Sequence, residues 1–179
     1  MKKNIIVTIV SMSMTYSVAI ASQGEVQFFG NVSAATCDVA PEISGSVNNL
    51  IQLGTVTNGG TGEGSDIGVE VPFTLKAKKA TSVGCSALSG TKTATVYWDG
   101  PLNSDGIANQ SGLATDAVVL LKPTNASDSQ EKSISAGKRS ATFIENLVNT
   151  DGYQFTAQLK GGTVAGDFRS AAVFAVTYH

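Results

Sequence analysis

Apolar and polar residues alternate with period two along much of this chain, the period in which an extended strand points its side chains to opposite faces. The clearest case is Tyr153–Lys160, where Tyr153, Phe155, Ala157 and Leu159 alternate with Gln154, Thr156, Gln158 and Lys160. Val69, Val71, Phe73 and Leu75 alternate in the same way with Glu70, Pro72, Thr74 and Lys76. Pro72 has no amide donor, which places it at an edge, at a bulge or near the strand's start. Further strands are predicted over 47–56, around Leu50-Ile51-Gln52-Leu53-Gly54, and over 91–98, with Ala94, Val96 and Trp98 on one face. Others are predicted over 118–121, 140–147 and 171–178, with a short one near 132–135. The stretches 57–68 and 99–116 are rich in Gly, Ser, Thr and Asp and read as loops, with room for one helical turn in the second. No stretch of ten residues has the 3.6-residue period of an amphipathic helix, and no internal repeat or domain linker is visible. Short strands separated by turn signals predict an all-β sandwich.

The N-terminus carries a different pattern. Met1-Lys2-Lys3 is a small positive region, 5–20 is mostly apolar and uncharged, and Ala19-Ile20-Ala21 is a small-x-small cleavage site. This predicts a secretory signal peptide over 1–21 rather than a membrane anchor. Directly behind it Val26, Phe28, Gly30, Val32 and Ala34 fall on one face of an extended strand. Such a terminal strand either pairs within its own domain, as the first strand of a closed sandwich, or is given to a neighbour.

Composition narrows the class. Removing 21 of 179 residues leaves 158, enough for one domain with its own core. The formal charge moves from −2 to −4, because Lys2 and Lys3 leave and no acid does. A mildly acidic chain with scattered Lys and Arg lacks the basic footprint of a nucleic-acid binder. The run 76–79, with Lys76, Lys78 and Lys79, reads as a solvated face leading into the turn before Cys85. The two cysteines, Cys37 and Cys85, most simply form one disulfide in an exported protein. A metal site is the competing reading, and it is weak because the sole histidine is His179, the last residue.

Catalysis finds little support. A nucleophile needs a base held beside it, and the one histidine is terminal. Among the fourteen acidic residues, Glu63, Asp66, Asp99, Asp105 and Asp116 sit in turn-rich stretches, where short carboxylates serve local turns. Gly59-Gly60-Thr61-Gly62 lacks the strand–helix context of a phosphate loop. No enzyme activity and no cofactor are expected. A sugar-binding role is the other reading from residues, with Tyr97, Trp98 and Tyr153 as candidates for stacking on sugar rings; Trp98 reads first as core.

Three segments together resemble the structural subunits of chaperone–usher fimbriae, the pilins of Gram-negative bacteria. Gly24-Glu25-Val26-Gln27-Phe28-Phe29-Gly30-Asn31-Val32-Ser33-Ala34-Ala35-Thr36-Cys37 resembles the segment leading to the family's first cysteine. Leu50-Ile51-Gln52-Leu53-Gly54 resembles the segment that follows it, and Cys85 falls near the end of the strand carrying Phe73 and Leu75, as the second family cysteine does. Gly166-Asp167-Phe168-Arg169-Ser170-Ala171-Ala172-Val173-Phe174-Ala175-Val176-Thr177-Tyr178 resembles the family's ending, with its penultimate tyrosine. The resemblance spans the mature chain and is similar to the major subunits of enteric fimbriae. It departs from the family in one place: 77–84 is longer than the usual approach to the second cysteine.

The resemblance implies an incomplete immunoglobulin-like β-sandwich with an open groove and one disulfide, completed by donor-strand exchange. It implies three segments: a signal peptide at 1–21, a donor-strand extension at 22–35 and a pilin domain at 36–179. Val26, Phe28, Gly30 and Val32 would enter a neighbour's groove, with Gly30 meeting a shallow part of it. The groove would be lined by the first long strand and by 171–178. A periplasmic chaperone would recognise the C-terminal strand through Phe174, Val176, Tyr178 and the His179 carboxylate. The implied partners are identical or related pilin subunits, the chaperone, the outer-membrane usher, a tip adhesin or a host glycan, and no nucleic acid. The implied role is a shaft subunit of a surface fimbria that reaches the surface through the periplasm and supports adhesion, with a single-domain glycan-binding adhesin as the alternative.

Overall fold

The computed structural model describes residues 37–57, 67–128 and 132–179. The signal peptide and the extension that carries Val26, Phe28, Gly30 and Val32 lie outside the described residues. Within them the chain folds as nine strands in two sheets. These are β1 (Val39–Ile43), β2 (Ser46–Val47), β3 (Val71–Ala77), β4 (Thr93–Asp99), β5 (Ile107–Ala108), β6 (Val118–Pro123), β7 (Ser140–Ile144), β8 (Tyr153–Lys160) and β9 (Val173–Tyr178). One sheet has the order β2-β1-β3-β8-β6-β5 and the other β7-β4-β9. Every ladder between these strands is antiparallel.

The alternation seen in the sequence becomes the inner faces of the two sheets. In β8 the apolar set Tyr153, Phe155, Ala157 and Leu159 is buried while the polar set stays half-buried, because β8 lies between β3 and β6 with one face on the core. In β4, the centre of the smaller sheet, Ala94, Val96 and Trp98 are buried. The aromatic residues meet between the sheets. Phe73 stacks on Phe155 at 5.6 Å, Trp98 stands edge-on to Phe155 at 5.4 Å, and Phe143 packs on Tyr153 at 4.8 Å. Offset and edge-on ring pairs of this kind add to the burial of each ring. Phe155 touches three of these rings and is 1 % exposed. Phe155→Ala is therefore expected to lower the unfolding free energy by about 3–5 kcal/mol, read from urea melts of the subunit with its groove filled. A loss below about 1 kcal/mol would show that the two sheets do not depend on this cluster.

Local chemistry explains the turns. β1 and β2 are joined by Ser44-Gly45, both with positive φ (52° and 79°), the two-residue hairpin turn whose twist matches the flanking strands. Pro72 is the second residue of β3, beyond the stretch that pairs with β1, which begins at Thr74. The long approach to the second cysteine is a turn followed by a single helical turn, α1 (Val83–Ser86). Ser82 caps it by accepting a hydrogen bond from the Cys85 amide at 3.3 Å. Cys85 thus sits on a helical turn rather than at the end of β3. Its disulfide to Cys37 ties α1 to the start of β1, with Cα atoms 4.5 Å apart.

Four expectations about elements need correction. The predicted strand over 47–56 survives only as Ser46–Val47, and residues 48–57 run without a ladder. Ile51, Leu53 and Val56 still pack against the core, so the apolar pattern was real, but among the described residues no strand lies beside this backbone to pair with it. The strand predicted over 140–147 stops at Ile144 and tightens into a 3₁₀ turn, Glu145–Asn149. Glu145 is 3 % exposed, and its Oε1 accepts from the Ser89 and Gly90 amides and the Ser89 hydroxyl, an anchor that ends the strand. The helical turn allowed within 99–116 does not form; the helical turns are at 83–86 and 145–149. The short strand near 132–135 is reduced to isolated bridges, Leu121 to Ile134 and Ser135 to Lys138.

Candidate functional site

Strand β9 is bound on one side only. Its register with β4 runs from Asp99↔Val173 to Ala94↔Tyr178, and among the described residues no strand pairs with its other edge. Beside that edge lies a groove of about 1040 Å³. Its floor is core: Phe73, Leu75, Trp98, Val119, Leu121 and Leu159 all line it. One bank is the ladder-free segment 49–57, with Leu50, Ile51, Leu53 and Val56. The other is β9's Phe174 with the loop 164–172. Leu50 is 63 % exposed and Val173 66 %. A sandwich core that opens between the free edge of β9 and a segment outside any ladder has room for one more extended chain, whose side chains would alternate into the floor.

The far end of the groove is fastened by side chains. The Asp116 carboxylate accepts hydrogen bonds from the Thr163 amide and hydroxyl, both at 2.7 Å, and from the Val164 amide at 3.2 Å. A Cβ on Gly162 would meet this carboxyl group and push it off its bonds to Thr163 and Val164. Asp167 Oδ1 accepts from the Leu113 amide, Ser111 bridges Arg169, and the Ala171 amide donates to Gln110 Oε1 at 2.7 Å. Loop 161–171 is thereby strapped to 109–116. The bonds from Thr163 and Val164 hold the Asp116 carboxyl below its ordinary range. A lowered carboxyl pKa adds stability that is present above the ordinary value near 4 and is lost as pH falls through the lowered value. Asp116→Asn is expected to speed hydrogen exchange at the Thr163 and Val164 amides about tenfold at neutral pH. Unchanged exchange would mean that the backbone alone holds the loop.

The residues singled out in the sequence divide clearly. Cys37 and Cys85 form the disulfide and both are buried. Phe174, Val176 and Tyr178 share the inner face of β9 and are half-buried, and all three pack against the core. Burial pushes the Tyr178 phenol up to about 12. His179 ends the chain beside the start of β4, its amide donating to the Thr93 carbonyl at 2.9 Å and its ring 3.2 Å from the Thr95 hydroxyl. Two of the three aromatic residues considered for sugar stacking are lost to the core. Trp98 is 6 % exposed and Tyr153 is fully buried, its hydroxyl donating to the Glu145 carbonyl at 2.8 Å; only Tyr97 faces out. Asp116, Asp167 and Glu145 were not recognised as structural anchors. Their partners lie some 50 residues away in sequence, and no local spacing announces them.

Comparison with known proteins places the whole chain. The F107 fimbrial protein of Escherichia coli is 47% identical over 178 residues, covering 99% of both chains. The chain belongs to the fimbrial protein family. The K99 fimbrial protein of Escherichia coli is 29% identical over 191 residues, again covering 99% of both. Among solved structures, a chain of a chaperone–usher pilus superposes with a TM-score of 0.50 at 18% identity, over 92% of this chain and all of that one. The fimbrial subunit's two sheets and single disulfide thus form a pilin-type, immunoglobulin-like sandwich. No protein family's sequence profile matches the chain.

Proposed function

We propose that this fimbrial protein is a shaft subunit that polymerises by strand donation, with residues 22–35 of one copy filling the groove of the next. The observation that supports this most is the conjunction of an unpaired β9 edge with an apolar groove beside it. Open edges and apolar clefts left uncovered are aggregation hazards, so a chain that keeps one has a dedicated occupant. In the donor, Val26, Phe28 and Val32 supply large apolar side chains at alternate positions and Gly30 supplies none.

The remaining steps follow from the family. Residues 1–21 direct export and are removed, and 36–179 form the pilin domain. In the periplasm a chaperone lends the missing strand, holding β9 through Phe174, Val176, Tyr178 and the His179 carboxylate. At the outer-membrane usher the next subunit's extension replaces it. The product is a fimbria on the bacterial surface that supports adhesion. The chain acts as a polymer subunit, not as an enzyme.

Gly30 tests the reading. Gly30→Leu places a branched side chain where the donor face has none. The variant subunit is expected to be exported and to fold with its chaperone, yet to give few or no fibres by electron microscopy. Fibres of normal number and length from Gly30→Leu would overturn the assignment of 22–35 as the donor.

A further inference from the structure

We infer that consecutive subunits meet end to end through opposite charge, the lysines around the disulfide of one copy facing the acidic loops at the far end of the groove in a second copy. The inference rests on strand donation as proposed above and adds the surface that docks once the strand is in place.

The two ends are defined by contacts. Asn149 Nδ2 donates to the Cys85 carbonyl at 2.7 Å, the Glu145 amide to the Lys92 carbonyl, and the His179 amide to the Thr93 carbonyl. The disulfide, the start of β4 and the end of β9 therefore share one end of the sandwich. Lys78 is bound there through its amide to the Asp38 carbonyl at 2.8 Å, Lys79 follows it, and Lys76 and Lys92 flank them. None of these four ammonium groups has an acid within ion-pair distance among the described residues. Lys122, Lys138, Arg139, Lys160 and Arg169 each do, and among the described residues Lys132 alone resembles the four. The acids at this end are Asp38, Asp151 and the terminal carboxylate on the surface, and Glu145, which is buried with its carboxylate turned inward onto Ser89 and Gly90.

The opposite end leans the other way. Asp105, Asp116 and Asp167 gather on the loops around the groove's far end, against Lys160 and Arg169, with Asp99 and Arg139 neutralising each other at 2.8 Å. Asp116 has no cationic partner among the described residues; its bonds are to the Thr163 and Val164 backbone and the Thr163 hydroxyl. It is exposed.

Strand polarity brings these two ends together. All ladders between the strands are antiparallel, and a strand that completes β9 in the same sense finishes beside Val173, at the acidic end. From Val32 to Cys37 only residues 33–36 intervene, a tether of at most about 18 Å. The donor's lysine-rich end is thus held near the acceptor's acidic end. At about 0.02 M salt, where the Debye length is about 20 Å, surface charges at that range are only partly screened, and tethering raises their effective concentration.

The test uses the subunit purified with its chaperone, wild type and K78E/K79E, both substituted side chains being exposed. A peptide spanning residues 22–36 carries the donor strand without the lysines. It is expected to displace the chaperone from both proteins at equal rates. Polymerisation of K78E/K79E is expected to be about tenfold slower than wild type at about 0.02 M salt, with the gap closing near 1 M. Zero-length carbodiimide cross-linking of wild-type fibres is expected to join Lys78 or Lys79 of one subunit to Asp105, Asp116 or Asp167 of the next. Equal polymerisation rates at both salts, or fibres without these cross-links, overturn the charge contact while leaving strand donation intact. Failure of the peptide to displace the chaperone from wild type overturns strand donation, and the contact with it.

Discussion

Adding the 22–36 peptide to the chaperone-bound subunit is expected to release the chaperone on a native gel and to leave a subunit that melts at least about 10 °C higher. The groove is a gap of about 1040 Å³ floored by Phe73, Trp98 and Leu159, so a strand with Val26, Phe28 and Val32 on one face restores contact where the core is open. Burying about 400 Å² of apolar surface is worth about 10 kcal/mol gross. Ordering and immobilising the peptide offsets roughly half of that. A net of about 5 kcal/mol, at 2–4 °C per kcal/mol for a domain of this size, gives a rise of 10–20 °C. The backbone adds directional bonds, because β9's unpaired edge offers amides and carbonyls along Val173–Tyr178. A peptide carrying Gly30→Leu is expected to lose most of the shift. If the chain from residue 36 onward folds as a stable monomer without chaperone or peptide, the sandwich is closed already and this account is wrong.

Tyr153–Lys160 could be read outright in the sequence, since β8 is central, has one face on the core, and each apolar position is buried. Period-two alternation reports burial, and there burial and pairing coincide. Residues 47–56 carry a similar apolar signal, and Ile51, Leu53 and Val56 do reach the core, yet their backbone forms no ladder. Alternation says which side chains face inward; it cannot say whether a partner strand is present to make the segment a strand. The groove was legible only through the resemblance, since an absent neighbour leaves no mark in the pattern of the strand that lacks it. Asp116 marks a third limit. In sequence it is one more turn aspartate, and only the fold brings Thr163 and Val164 to its carboxylate. The extra length before Cys85 was visible, but its form, a capped helical turn on Ser82, depends on where the disulfide holds it.

The second large effect is expected from the double variant C37S/C85S, which should lose about 4 kcal/mol of unfolding free energy and bind the donor peptide more weakly. The cross-link joins residues 48 apart in sequence, and the chain-entropy estimate for a loop of that length is about 4 kcal/mol, with any native strain lowering it. What lies inside the loop makes the effect larger than a stability change. Residues 37–85 include β1, β3 and the whole ladder-free bank 49–57 of the groove. Strand pairing holds β1 and β3, through Val39↔Ala77 to Glu42↔Thr74, whereas 49–57 is in no ladder and rests on the core through Ile51, Leu53 and Val56, inside the closed loop. Opening the loop therefore loosens one bank of the groove more than the core beneath it. Urea melts of the peptide-filled subunit should show a lower midpoint for C37S/C85S. Hydrogen exchange should rise most across 49–57 and least across Tyr153–Lys160. Reducing agent should move wild type toward the variant and leave the variant unchanged. A variant that lost stability uniformly, with 49–57 exchanging no faster relative to β8 than in wild type, would show that the bank is fixed by packing alone.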